Sequence, residues 1–188
     1  MNTTKVIAIS GASGAGKTTM VKALSAKFNC PFLLFDDYVD EDTYPTDMKK
    51  WFKSGADVST IKTPKLVKAL RELIAANKRP FIFIEEPFGR ERACVSCFID
   101  DVILLDLPME ICLSRLITRH IDHPGSEPLN SIAGYLVKYQ DHLRDIYIEC
   151  VNQVRRNCDL IIDGNNSVEF IVGSIGNCLK SEAKENYE

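Results

Sequence analysis

An apolar run, Val6-Ile-Ala-Ile-Ser10, leads straight into Gly11-Ala-Ser-Gly-Ala-Gly16-Lys17-Thr18, a complete G-x-x-x-x-G-K-[ST] motif followed by residues that suit a helix. Few sequence features constrain a fold as tightly, because the strand, the loop and the helix must meet at one point. Glycines at 11, 14 and 16 let the backbone curl so that its N–H groups converge on a phosphate chain, and the helix adds its positive N-terminal end. The expected phosphate-binding residues are Gly11, Ser13, Gly14, Ala15, Gly16, Lys17, Thr18 and Thr19. Lys17, expected to be exposed at the loop, would reach the β and γ phosphates of ATP, and the Thr18 hydroxyl would ligate Mg2+.

The remainder of the chain repeats the strand-then-helix pattern. Lys5–Ser10, Phe32–Asp36, Phe81–Glu85, Val102–Leu107 and Leu160–Asp163 read as five short buried strands. Helices are expected at Lys17–Phe28, Met48–Lys53, Pro64–Asn77, Arg90–Phe98, Met109–His120, about 131–157, and Val168–Leu179. A βαβ series of this kind predicts an α/β fold of three layers, a parallel sheet with helices on both faces and strand order 2-3-1-4-5. With 188 residues, 45% of them hydrophobic, the chain suffices for one core, so residues 1–180 are expected to form a single domain. The breaker-rich stretch at about 120–130, with Pro124, Gly125 and Pro128, is expected to be a lid, and 181–188 a polar tail.

Composition narrows the function. A formal charge of -3 supplies no global field for nucleic acid or an anionic membrane surface, so phosphate recognition must be local. No apolar stretch reaches the roughly 20 residues that a membrane helix needs, which predicts a cytoplasmic protein. Seven cysteines, an odd number scattered through apolar segments, fit reduced thiols. Cys94-Val-Ser-Cys97 lacks a second pair or histidines at zinc spacing.

A phosphate loop does not say where the phosphate goes. The only Asn-Lys, Asn77-Lys78-Arg79-Pro80, lacks the Asp of a guanine-specifying motif and precedes a strand, which argues against a switch GTPase. Phe81-Ile-Phe-Ile-Glu85-Glu86 imitates the signature of motor-type ATPases. More telling is Phe35-Asp36-Asp37-Tyr38, two carboxylates at the expected carboxyl end of a parallel strand, where a γ phosphate would be presented. Phosphoryl transfer to a hydroxyl asks for a carboxylate within reach of the acceptor proton. Because strand residues alternate faces, only one of Asp36 and Asp37 is expected to aim at the metal and acceptor.

Together, Gly11 to Thr19, Asp36-Asp37-Tyr38 and Glu85 closing the next strand resemble the uridine kinase and nicotinamide riboside kinase family. The resemblance runs through Cys158-Asp-Leu-Ile-Ile-Asp163-Gly164 and covers most of the chain. It implies that Asp36 is the catalytic base near magnesium, that Asp37 and Tyr38 line the acceptor site, and that Glu85 meets the metal or acceptor hydroxyls. Where the family has glycine, this chain has Glu86, expected either to contact the acceptor or to face solvent.

On the Met109–His120 helix, Arg115 and Arg119 lie four apart on one face and would neutralise charge on the transferring group. Trp51, the only tryptophan, sits beyond Asp36 in a segment suited to acceptor recognition, where its ring would stack on the acceptor or simply pack. The expected activity is ATP-dependent transfer of the γ-phosphoryl group to a hydroxyl of a nucleoside-like small molecule. Two other readings remain: a nucleotide or coenzyme-precursor kinase using Arg90 and Arg92, and a regulatory protein that binds and slowly hydrolyses ATP.

Overall fold

A strand buried on both faces cannot alternate apolar and polar residues, and β1 (Lys5–Ser10) does not: five of its six residues are buried. The computed structural model describes residues 4–122 and 129–185, with side chains at 129–131 and 180–185 left aside. β2 (Phe32–Leu33), β3 (Phe81–Glu85), β4 (Asp101–Asp106) and β5 (Leu160–Asp163) join β1 in a five-stranded parallel sheet, ordered β2-β3-β1-β4-β5. The helices are α1 (Lys17–Phe28), α2 (Met48–Lys53), α3 (Pro64–Ala76), α4 (Ala93–Ser96), α5 (Met109–Asp122), α6 (Leu129–Lys138), α7 (Arg144–Arg155) and α8 (Val168–Glu185). Ile7, Ile9, Ile82, Phe83, Ile84 and Leu104 are fully buried at the sheet centre. The chain leaves β1 toward one edge and β3 toward the other, so a crevice opens beyond the carboxyl ends of these neighbouring strands.

Strand order, strand number and most helices agree with the sequence reading. The departures have physical causes. The second strand stops at Leu33, and Phe35–Tyr38 forms a 3-10 turn instead of extending the strand. Phe35 is fully buried there in a second apolar cluster with Trp51, Ile61, Leu66 and Phe88. The helix expected over 90–98 shrinks to Ala93–Ser96, because Gly89 turns with a φ of 55° and Arg92 is extended. The long helix after the expected lid contains a π-helical turn at Tyr139–Leu143, which separates α6 from α7. Helix α8 runs past the expected Leu179 to Glu185, through the first residues of the expected tail. Of the lid expected at about 120–130, residues 123–128 lie outside the described residues, while its ends belong to α5 and α6.

The second cluster is organised around one charge pair. Arg92, fully buried, donates from Nε to Glu86 Oε1 at 3.0 Å and from Nη2 to Glu86 Oε2 at 2.5 Å. Its Nη1 donates to Ile61 O at 3.1 Å and Thr63 Oγ1 at 2.9 Å, while Phe35 and Phe88 present their rings at 5.1 and 5.8 Å. Burial pushes the Glu86 carboxyl up, and the paired guanidinium opposes that rise. Glu86 is therefore neither solvent-facing nor on the cleft wall; both of its carboxylate oxygens are taken by Arg92. Replacing Glu86 by Gln leaves a buried guanidinium uncompensated and is expected to destabilise the fold by about 3–5 kcal/mol. Urea unfolding reads this as a lower midpoint at unchanged slope, and an unshifted midpoint would show that the pair holds nothing together.

Candidate active site

Two adjoining cavities occupy the crevice. The smaller, about 210 Å³, is lined by Ser13, Gly14, Gly16, Lys17, Thr18 and Thr19 of the loop and α1 start, and by Asp36, Glu85, Arg115, Leu116 and Arg119. The larger, about 430 Å³, starts at Gly11, Ala12, Ser13 and Lys17 and extends past Asp36 into an apolar recess. Asp36 and Lys17 line both.

The loop's shape is enforced by its glycines. Gly11, Gly14 and Gly16 have φ of 143°, 87° and 97°, a region that side chains rarely tolerate. Gly14 is doubly constrained, since a Cβ there would stand 2.3 Å from the Cys112 carbonyl oxygen of α5. The loop and the first turn of α5 thus approach backbone to backbone, and that approach brings Arg115 to the phosphate cradle.

Lys17 is only 8% exposed, contrary to the expectation of an exposed loop lysine. Its Nζ donates to Ala12 O at 3.1 Å and lies 3.7 Å from Glu85 Oε1. Burial lowers the Lys17 pKa, and the Glu85 and Asp36 carboxylates work against that shift. The Thr18 hydroxyl donates to Glu85 Oε2 at 2.8 Å. Glu85, at the end of β3, therefore holds both key side chains of the phosphate loop.

Arg115 donates to Ala15 O at 3.5 Å and Gly164 O at 3.3 Å, tying α5 to the loop and to the turn after β5. Arg119, one turn on, lines the smaller cavity and is exposed. Both arginines thus line the smaller cavity. Asp36 and Asp37 are separated by the 3-10 turn and not by strand alternation: Asp36 lines both cavities, whereas Asp37 and Tyr38 line neither. Trp51 does line the larger cavity, with its indole Nε1 donating to Asp57 O at 2.9 Å and Thr60 Oγ1 at 3.0 Å.

Sequence reasoning missed the rest of the recess. Tyr44 and Met48 approach from the α2 side, Phe88 from the loop after β3, Leu143 from the end of the π turn, and Ile146, Tyr147, Cys150 and Val151 from α7. The α7 set has the spacing of one helix face, so the stripe was visible, but it reads the same way as an ordinary core stripe. Arg90 and Arg92, expected near a phosphorylated acceptor, are elsewhere. Arg90 pairs with Asp159 at 2.8 Å and donates to the carbonyls of Ile99, Asn157 and Asp100. Arg92 is committed to Glu86.

This architecture is shared with known kinases. A gluconokinase from Sinorhizobium meliloti superposes with a TM-score of 0.59 at 17% identity, covering 98% of this chain and 97% of that one. A shikimate kinase from Bacteroides thetaiotaomicron gives 0.56 at 20% identity over 94% and 98%. A deoxyadenosine kinase from M. mycoides gives 0.53 at 20% identity over 94% and 99%. The chain has the fold of the P-loop small-molecule kinases. In sequence it is similar to uridine kinases of two Staphylococcus epidermidis strains, 22% identical over an alignment that covers 89% of this chain and 92% of theirs. No family model matches the chain.

Among the described residues, no helix is long and apolar enough to cross a membrane, and no group of three or more His, Cys, Asp or Glu side chains converges on a metal position. Gly14→Ala sets a methyl group against the Cys112 carbonyl and forces a side chain into a positive φ. A loss of stability of about 1–3 kcal/mol is expected. Thermal unfolding with a parent-like midpoint would mean that the loop and α5 are not held as closely as described.

Proposed function

We propose that the chain is an ATP-dependent kinase that transfers the γ-phosphoryl group to a hydroxyl of a nucleoside-like small metabolite. The observation that carries this reading is the position of Asp36, the one carboxylate that lines both the phosphate-loop cavity and the neighbouring recess. A base for phosphoryl transfer has to stand at such a junction, because it must reach the acceptor proton while the donor phosphate lies alongside. The uridine kinase likeness and the kinase fold support the same class of reaction.

In this reading Gly11 to Thr19 hold the ATP phosphates, with Lys17 on the β and γ groups. Asp36 takes the hydroxyl proton as the acceptor oxygen bonds to the γ phosphorus. The bond from that phosphorus to the β–γ bridging oxygen breaks, and ADP leaves with the electron pair. Arg115 and Arg119 offset charge on the transferring group. The Thr18 hydroxyl and the Glu85 and Asp36 carboxylates are hard oxygen donors that suit Mg2+, which keeps few protein ligands and shares phosphate oxygens with its site. When bound, magnesium neutralises phosphate charge.

A kinase for phosphorylated acceptors is disfavoured, since Arg90 and Arg92 are both committed elsewhere. ADP release measured with and without a panel of acceptors tests the proposal: release should stay near zero until one acceptor is added, with Lys17→Met as the silent control. Steady release that no acceptor stimulates would favour the regulatory ATPase reading instead.

The acidic pair separates cleanly in the same assay. Asp36→Asn should lower the rate by on the order of 10² or more at saturating magnesium, while Asp37→Asn, outside both cavities, should retain most of it. A dead Asp37→Asn beside an active Asp36→Asn would move the base by one residue. The arginines should also differ. Arg119→Ala is expected to reduce kcat more than ATP affinity, because its charge matters most when the γ phosphate is in flight. Loss of affinity alone, with kcat intact, would assign Arg119 to ground-state binding.

A further inference from the structure

The recess beyond Asp36 is built from Tyr44, Met48, Trp51, Phe88, Ile146 and Tyr147, with few polar atoms facing inward. Resting on the kinase reading above, we infer that the phosphoryl acceptor is an uncharged alcohol with a largely apolar, ring-bearing body, and that the site rejects acceptors carrying a carboxylate, a phosphate or a fixed positive charge.

Charge placement carries the argument. Of the residues that line the recess, only Lys17 and Asp36 are charged. Lys17 belongs to the phosphate loop and is already engaged by Ala12 O and Glu85. Outside the lining, Arg92 is committed to Glu86, Arg90 to Asp159, and Lys49 of α2 to Asp141 of the π turn, while Arg115 and Arg119 line the phosphate-loop cavity and not the recess. An anionic acceptor would lose its hydration among apolar walls without gaining a partner. A cationic one would find Asp36 alone, which the reaction needs as a base.

The polar groups that remain suit a neutral guest. Desolvation, reinforced by Asp36, pushes the Tyr44 phenol up to about 12, and desolvation with a Tyr135 hydrogen bond raises Tyr147 as well. Both phenols stay protonated at neutral pH and offer hydrogen bonds to hydroxyl or carbonyl groups. The Trp51 Nε1 is occupied by Asp57 O and Thr60 Oγ1, so the indole presents its carbon framework to the recess. A volume of about 430 Å³ suits one small molecule.

The test uses the intact chain and four acceptor sets matched in size: neutral ring-bearing alcohols including nucleosides with uncharged bases, hydroxy acids, phosphorylated alcohols, and a pyridinium riboside. Each is assayed for phosphoryl transfer from ATP and, separately, for binding by calorimetry without ATP. The best neutral alcohol should exceed every charged counterpart by at least about tenfold in kcat/KM and in affinity. A charged acceptor that wins overturns the inference and leaves the kinase reading standing. Transfer to none of them sinks the kinase reading, and the binding ranking then decides alone: tighter neutral binding supports the inference, while no neutral binding overturns it. Ile146→Arg places a cation in the wall and should shift the ranking toward hydroxy acids by about tenfold or more. A folded variant with an unaltered ranking overturns the assignment of the recess, and if that variant fails to fold, the parent's ranking decides.

Discussion

The apolar recess of the crevice depends on a carboxylate and a guanidinium that are both fully buried. Removing two ions from solvent costs several kcal/mol each, and only close geometry offsets that cost. Arg92 meets the requirement with four hydrogen bonds and two aromatic faces, drawn from β3's continuation, the loop before α3 and the turn after β2. These segments are far apart in sequence, and the pair binds them into one wall. Trp51, Ile61 and Phe88 belong to the apolar cluster around it, so the recess owes its shape to a charge pair that does not touch it.

The phosphate half works by a different constraint, backbone proximity. Gly14 permits α5 to press its Cys112 carbonyl against the loop, and this sets Arg115 and Arg119 over the smaller cavity. Glu85 then links the two halves from the sheet side, accepting from Thr18 and facing Lys17, while its neighbour Glu86 points into the second cluster. Two consecutive acids at the end of β3 and just beyond it thus serve different partners: one steadies the phosphate loop, and the other anchors the wall of the recess.

Much of the phosphate half was legible in the chain because its determinants are local. Glycine spacing, the following Lys-Thr and the flanking strand and helix act over a few residues, and the structure brings Lys17, Thr18, Glu85, Arg115 and Arg119 to one cavity. The recess was less legible. Asp36 was singled out, but on the premise of an alternating strand that ends earlier, at Leu33. Nothing in the spacing of Glu86 and Arg92 announces a pair, since six residues across a loop correspond to no helix or strand period.

By itself the sequence determined the parallel sheet, its order and the phosphate loop, because periodicity and glycine placement are short-range properties of the chain. Only the tertiary structure decided which acid faces the crevice, that Lys17 is buried, that Arg90 and Arg92 are spent on protein partners, and that the neighbouring recess is apolar. Those outcomes rest on which side chains from distant segments compete for the same buried space and the same charge. That competition is settled only when β3, α2 and α7 meet.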